Sequence, residues 1–231
     1  MAPSPGFPGY LYLGQPGVNA TSIDNVEVDW DRVLPAIDTT LRVAVFARRT
    51  DNILINPYEN TPSGDGALIG GLEEQRVIAA NVGYSMALGG EIGLRGQTAS
   101  GFRWKASYSF ISITDHLSIN QNGIFSPQDF QHGTPTHAVM LGAGYSVDRW
   151  ELDMTARWQS WFLDYRADPT QSQLQPVKIG NGLTATTRIG YRMTDNVTVA
   201  LSAQQFNVSH MLVSAGPPVD RRIFLSLTAH F

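Results

Sequence analysis

At 231 residues, with 42% hydrophobic and 16% charged side chains and a formal net charge of -4, the chain has room for one large β domain or two small ones. Lys and Arg form no run longer than a pair, which argues against a nucleic-acid partner. The absence of cysteine excludes disulfides, thiolate metal sites and a cysteine nucleophile together. No segment approaches about 18 continuous apolar residues, so no helical membrane span is expected; a transmembrane strand needs only about 9 to 11 alternating residues and escapes that criterion.

The opening, MAPSPGFPGYLYLGQPGVNATS, shows neither the basic stretch nor the apolar run of a secretory leader, and residues 1–21 are expected to be irregular. Residues 22–231 follow a period of two. SIDNVEVDWDRV sets Ile23, Val26, Val28 and Trp30 against Glu27, Asp29 and Asp31, with a slip of phase expected near Asn25. TTLRVAVFARR sets Leu41, Val43, Val45 and Ala47 against Arg42 and Arg48. After a polar, Gly-rich loop from Thr50 to Ala80 come GYSMALGGEIGLRGQ and FRWKASYSFIS, the latter with Phe102, Trp104, Tyr108 and Phe110 facing away from Arg103 and Lys105. A loop from Thr114 to Pro135 precedes THAVMLGAGYSV. WELDMTARWQSWF is the cleanest alternation, Trp150, Leu152, Met154 and Trp158 against Glu151, Asp153 and Arg157. A loop from Leu163 to Lys178 leads to NGLTATTRIGYR, whose polar side carries Arg188 and Arg192. MTDN turns into VTVALSAQQF, and after a last loop the chain closes on RRIFLSLTAHF.

Nine strands are expected, joined alternately by short turns (near residues 34–38, 98–100, 147–149 and 193–196) and long loops. Short turns on one rim and long loops on the other, around an apolar band, describe an antiparallel up-and-down transmembrane β-barrel segment over residues 22–231. Trp30, Trp104, Tyr145, Trp150, Tyr191 and Phe231 all fall near a short turn or the chain end on the apolar side, as an interfacial girdle would. A soluble sandwich core would instead have to bury Arg42, Arg103, Lys105, Glu151, Asp153, Arg157, Arg188 and Arg192, which a hydrated lumen accommodates.

Contacts with a ligand are expected on the long loops, over a rigid scaffold, from Tyr58, Phe125, Phe130, His132, Trp161, Tyr165 and Arg166. His116, His132 and His137 match no metal-ligand spacing and read as solvated loop histidines. Asp115 and His116 with Ser112 or Ser126 have the residue types of a rim hydrolase, yet no motif fixes a nucleophile elbow, and no catalytic residue or cofactor is expected.

The order of segments resembles the C-terminal part of a TonB-dependent outer-membrane receptor. The residues that carry the likeness are YLGQPGVNATSIDNVEVDW, LRVAVFARRTDNILI, GGEIGLRG, FRWKASYSF, TPTH before a descending strand, SAQQFN and the terminal DRRIFLSLTAHF. The resemblance implies energised uptake of a siderophore or other nutrient by a barrel of about 22 strands around an N-terminal plug, through which the TonB system acts. It also implies outer-membrane lipid as surroundings, a plug that touches some lumen residues, and assembly machinery that reads Ile223, Leu225, Leu227, Ala229 and Phe231 as a terminal signal. Plug and earlier strands have no counterpart in this sequence, so the chain is expected to be part of a receptor located in the cell outer membrane. The alternatives are a passive porin-like channel and a soluble β-sandwich binding module.

Overall fold

The computed structural model describes residues 10–13, 16–55, 58–59, 75–78, 80–117, 129–168 and 173–229. Nine of its strands form one sheet: β1 (Ser22–Leu34), β2 (Thr39–Asp51), β3 (Gly83–Gln97), β4 (Phe102–Leu117), β5 (His137–Val147), β6 (Trp150–Gln159), β7 (Gly182–Arg192), β8 (Val197–Gln204) and β9 (Arg222–Ala229). Every pairing is antiparallel and joins strands adjacent in sequence, so the sheet is a meander.

Turn chemistry fixes the short rim. Pro35 opens a single 3-10 turn that Asp38 closes in the left-handed region at φ 43°, and Gly101 (φ 87°) and Asp148 (φ 51°) serve the next two turns. In the turn 98–101 the Thr98 side chain also accepts from the Phe102 amide at 3.2 Å.

The register β1 to β2 runs without a break from Ser22 opposite Asp51 to Leu34 opposite Thr39. The slip expected near Asn25 is therefore absent: Ile23 shares a face with Asn25, Glu27 and Asp29, and the apolar band on the other face covers only Val26, Val28 and Trp30. The expectation failed because Ile23 lies beyond the end of that band, where the face no longer has to alternate. A second correction concerns Leu163 to Lys178, read as a loop. It is a hairpin, Phe162–Asp168 against Gln173–Ile179, which Pro176 and the polar residues 168–173 disguise in the sequence. Shorter pairings also occur at this rim, Leu54–Ile55 with Ala80–Asn81 and His210–Met211 with Val219–Asp220.

Unbroken register carries each face across the sheet. One row runs Trp30, Val43, Ile92, Tyr108, Val139, Trp158, Leu183, each side chain opposite the next. The same parity reaches Ile189, Leu201 and Leu225 on β7 to β9. These side chains are not buried within the protein: Leu225 is 76% exposed and Val26 70%. The buried apolar residues are few, and the one core cluster among the described residues, Ile53 and Val82 with Leu117, sits at the long-loop rim. The accessible surface is 15690 Å² for a 25.3 kDa chain, against roughly 10,000 Å² expected for a compact soluble monomer of that mass. A sheet with an exposed apolar face and almost no core draws its stability from lipid on that side.

Candidate functional site

The opposite parity of the same nine strands makes a polar face, and its charges are organised. Arg42 donates to Asp29 at 3.1 Å across β1 and β2. Further round, Arg103 reaches Asp153 at 3.2 Å and Ser146 Oγ at 3.1 Å. Arg188 holds Glu151 at 2.9 Å and stands 3.8 Å from Asp153, and Arg192 stands 3.7 Å from Glu151. The result is a ladder over β4, β6 and β7 in which cations and carboxylates alternate. All its members are a third to a half exposed, so each pair is a solvated contact worth about 0.2–1 kcal/mol rather than a buried one. Every residue expected to line the lumen, Arg42, Arg103, Lys105, Glu151, Asp153, Arg157, Arg188 and Arg192, lies on this face.

Glycines set how these side chains lie. A Cβ at Gly142 would fall 2.6 Å from Lys105 Cε, and one at Gly89 2.5 Å from the Phe46 ring. Long side chains therefore lie flat across neighbouring strands where no Cβ obstructs them.

At the long-loop rim, carboxylates tie the segments into one cap. Asp115, at the upper end of β4, accepts from Ser85 Oγ at 2.6 Å and from the amides of Phe130 and Gln131 at 2.8 and 3.0 Å. Asp129 accepts from the His132 amide at 2.9 Å, contacts its ring at 3.0 Å, and takes the Tyr165 hydroxyl of the hairpin at 3.3 Å. Asp164, on the same hairpin, accepts from the Ala215 amide of the last loop at 2.6 Å. Burial pushes the Tyr165 phenol above its ordinary pKa, and the Asp129 charge adds to the shift. Beside it the His132 ring stacks on Trp161 with centroids 6.3 Å apart, and Lys178 Nζ sits 4.5 Å from the Trp161 ring centroid.

Of the expected ligand contacts, Phe130, His132, Trp161 and Tyr165 thus belong to one rim cluster, with Arg166 exposed next along the hairpin. Tyr58 is placed only by its backbone, opposite Val77, and Phe125 lies outside the described residues. Ile223, Leu225, Leu227 and Ala229 share the apolar face of β9, while Phe231 lies outside the described residues. Of the three histidines read as loop residues only His132 is one, since β4 runs on through His116 and β5 begins at His137, and they diverge: His116 stacks on Tyr84, His137 meets the Tyr108 hydroxyl at 2.9 Å, and His132 goes to Trp161. Ser112 and Asp115 have opposite parity on β4, and so do not converge as a hydrolytic pair. Ser126 lies outside the described residues. The residues that sequence reasoning missed are Asp129, Asp164 and Lys178, together with Asn207. The Asn207 side chain accepts from the Ala185 amide at 2.9 Å and donates to Leu183 O at 2.7 Å, satisfying the backbone of β7 beyond the end of β8. For the carboxylates and the carboxamide the sequence signal is weak, a polar side chain beside a strand or loop whose backbone it can satisfy; for Lys178 there is none.

A meander of nine strands, apolar on one side and charged on the other, with short turns at one rim and tied loops at the other, is a sector of a transmembrane β-barrel. The family model described as TonB dependent receptor-like, beta-barrel matches residues 2–206, and the chain belongs to that family. It is a family of transporters, not of enzymes. No curated protein sequence matches the chain. Among solved structures it is similar to the FrpB iron transporter from Neisseria meningitidis (F3-3 variant), with a TM-score of 0.69 at 16% identity over 95% of this chain and 33% of that one. It is also similar to the pyoverdine outer membrane receptor FpvA from Pseudomonas aeruginosa PAO1 (0.68, 14%, 93% and 30%). The ferric-catecholate import receptor Fiu from K12 E. coli is a third such structure (0.63, 18%, 91% and 28%). The chain spans about a third of the length of these proteins.

Proposed function

We propose that the nine strands are the wall sector of an outer-membrane receptor that captures a siderophore or comparable nutrient at its outer rim and takes it up at the expense of TonB-transmitted energy. The observation that carries this reading is the segregation of an apolar band on one face from the ion-paired charges on the other across nine registered strands, together with the family match over residues 2–206. In this reading β1 and β9, each paired on one side only among the described residues, join further strands that complete the wall. An open edge in hydrocarbon would cost several kcal/mol for each unpaired backbone group. The TonB system then acts on a plug held inside the completed barrel. The rim cluster around Trp161, His132, Phe130 and Tyr165, with Arg166 and Lys178 beside it, offers ring faces and cations to an anionic, aromatic ligand. The terminal strand face, Ile223 to Ala229, serves outer-membrane assembly together with the terminal residue Phe231.

The test is uptake of labelled ferric siderophore by cells that carry the complete receptor. Uptake that stops when the proton-motive force is collapsed, and that falls about tenfold in Trp161→Ala, fits the account. Uptake that continues without energy and rises linearly with concentration marks a passive channel instead.

A further inference from the structure

Where charged residues stand directly opposite one another in the nine-stranded sheet, the signs are opposite. Asp24 faces Arg49, Asp31 faces Arg42, and Asp153 faces Arg188. The exception is Arg95 on β3, which faces Lys105 on β4. Both belong to the polar face, near the short-turn rim. Side chains so opposed have Cβ atoms about 4.5–5.5 Å apart, and like charges in that relation repel. Among the described residues neither cation makes an ion pair or a side-chain hydrogen bond, whereas Arg103, two residues from Lys105 on the same face, is satisfied by Asp153 and Ser146.

The surroundings are open and concave. A cavity of about 480 Å³ is lined by both cations together with Thr40, Gln97 and Asp38, and a second of about 250 Å³ shares Thr40, Arg95 and Lys105 with it. The stem of Lys105 lies across Gly142, where a Cβ would come within 2.8 Å of its Cγ. Four carboxylates border the two cavities. Asp153 is engaged by Arg103 and Arg188, and among the described residues none of Asp31, Asp38 and Glu91 forms an ion pair with Arg95 or Lys105. The wall thus keeps two adjacent positive charges apart from the carboxylates within reach.

We propose that Arg95 and Lys105 form a binding site for a multivalent oxyanion, phosphate or polycarboxylate, on the inner wall near the short-turn rim. Arg95 supplies a planar fork suited to two oxygens, Lys105 a point charge, and Thr40 and Gln97 supply neutral donors at the cavity wall. An oxyanion between the two cations replaces their repulsion with charge-assisted hydrogen bonds. The oxyanion has two possible sources, an anion free in the lumen or the carboxylates of a polypeptide segment that occupies it. The site does not depend on which nutrient the complete receptor carries.

Isothermal titration of the full chain, folded in detergent micelles at constant ionic strength, tests the site with inorganic pyrophosphate in one arm and a tetra-aspartate peptide in the other. Saturable binding with one site per chain is expected, weakened by about tenfold or more in Arg95→Ala and in Lys105→Ala, and unchanged in Arg32→Ala on the opposite face. Tighter pyrophosphate binding identifies a free anion as the source, and tighter peptide binding a polypeptide. Lys105→Glu replaces the like pair with an opposite one, so it is expected to abolish binding and to raise the thermal unfolding midpoint. Absence of binding to both probes, binding indifferent to the two alanine variants, or a Lys105→Glu midpoint that stays or falls overturns the proposal.

Discussion

On β6, Trp150, Leu152, Met154 and Trp158 stand on one side and Glu151, Asp153 and Arg157 on the other, all within one strand of ten residues. In the first set Trp150, Leu152 and Met154 are exposed and Trp158 is half-buried; in the second, Glu151 and Asp153 form ion pairs with β4 and β7. In a soluble sandwich the apolar set would be the core and the charged set the surface. Here the difference in charge is the same but the solvents are exchanged, with hydrocarbon outside and water within. The two faces therefore tolerate different changes. Charge is costly in the middle of the outer face, where only strand ends such as Asp24, Arg32 and Arg49 carry it, whereas inside it is bulk over a glycine that does the damage.

The largest contrast is predicted for a cation placed on each face. Leu201→Arg, in the middle of the apolar side of β8, is expected to lose about 2–4 kcal/mol in denaturant unfolding from lipid vesicles, whereas Ser109→Lys, inward and opposite Glu91, should change stability by less than about 0.5 kcal/mol. Equal losses would erase the distinction between the faces. Next in size is Gly89→Val, which drives a side chain into the Phe46 ring and the Phe110 carbonyl; about 1–3 kcal/mol is expected in the same assay. Phe46→Ala combined with Gly89→Val should recover part of that loss if the ring is the obstacle.

Smaller is the effect of Glu151→Gln, which removes the charge shared by Arg188 and Arg192. Because the three side chains are solvated, a loss of about 0.2–1 kcal/mol that shrinks in high salt is expected. The smallest effect is spectroscopic. The Tyr165 phenol has a raised folded-state pKa, so its contribution to the rim is fully present below the unfolded value of about 10 and is lost as pH climbs through the folded value. Ultraviolet titration of wild type should show one late-titrating tyrosine that is absent from Tyr165→Phe, and an Asp129→Asn variant should bring that tyrosine to lower pH.

The wall was legible in the sequence because lipid imposes the period of two more strictly than a protein core does. No side chain on the outer face between Val26 and Trp30, or between Leu152 and Ala156, has a partner that would excuse an exception. At Ile23 that constraint had ended, and the reading went wrong there. The rim was less legible. Proximity picked out Phe130, His132, Trp161 and Tyr165 as loop aromatics and imidazole, but nothing local shows that Asp129 serves both His132 and Tyr165, 36 residues from its partner hydroxyl. Long-range hydrogen bonds between loops leave no periodic trace. Like-charge pairing of Arg95 and Lys105 is equally invisible until the register of β3 against β4 is known.

The account stands on the assignment of the two faces, and the absence of native cysteine makes that directly measurable. Single cysteines placed in turn at residues 151 to 157 of β6, in the protein inserted in lipid vesicles, would be treated with a water-soluble maleimide. Alternation is the expected result, with fast labelling at 151, 153, 155 and 157 and almost none at 152, 154 and 156. Uniform labelling along the strand, or the reverse alternation, would contradict a wall with lipid outside and water within.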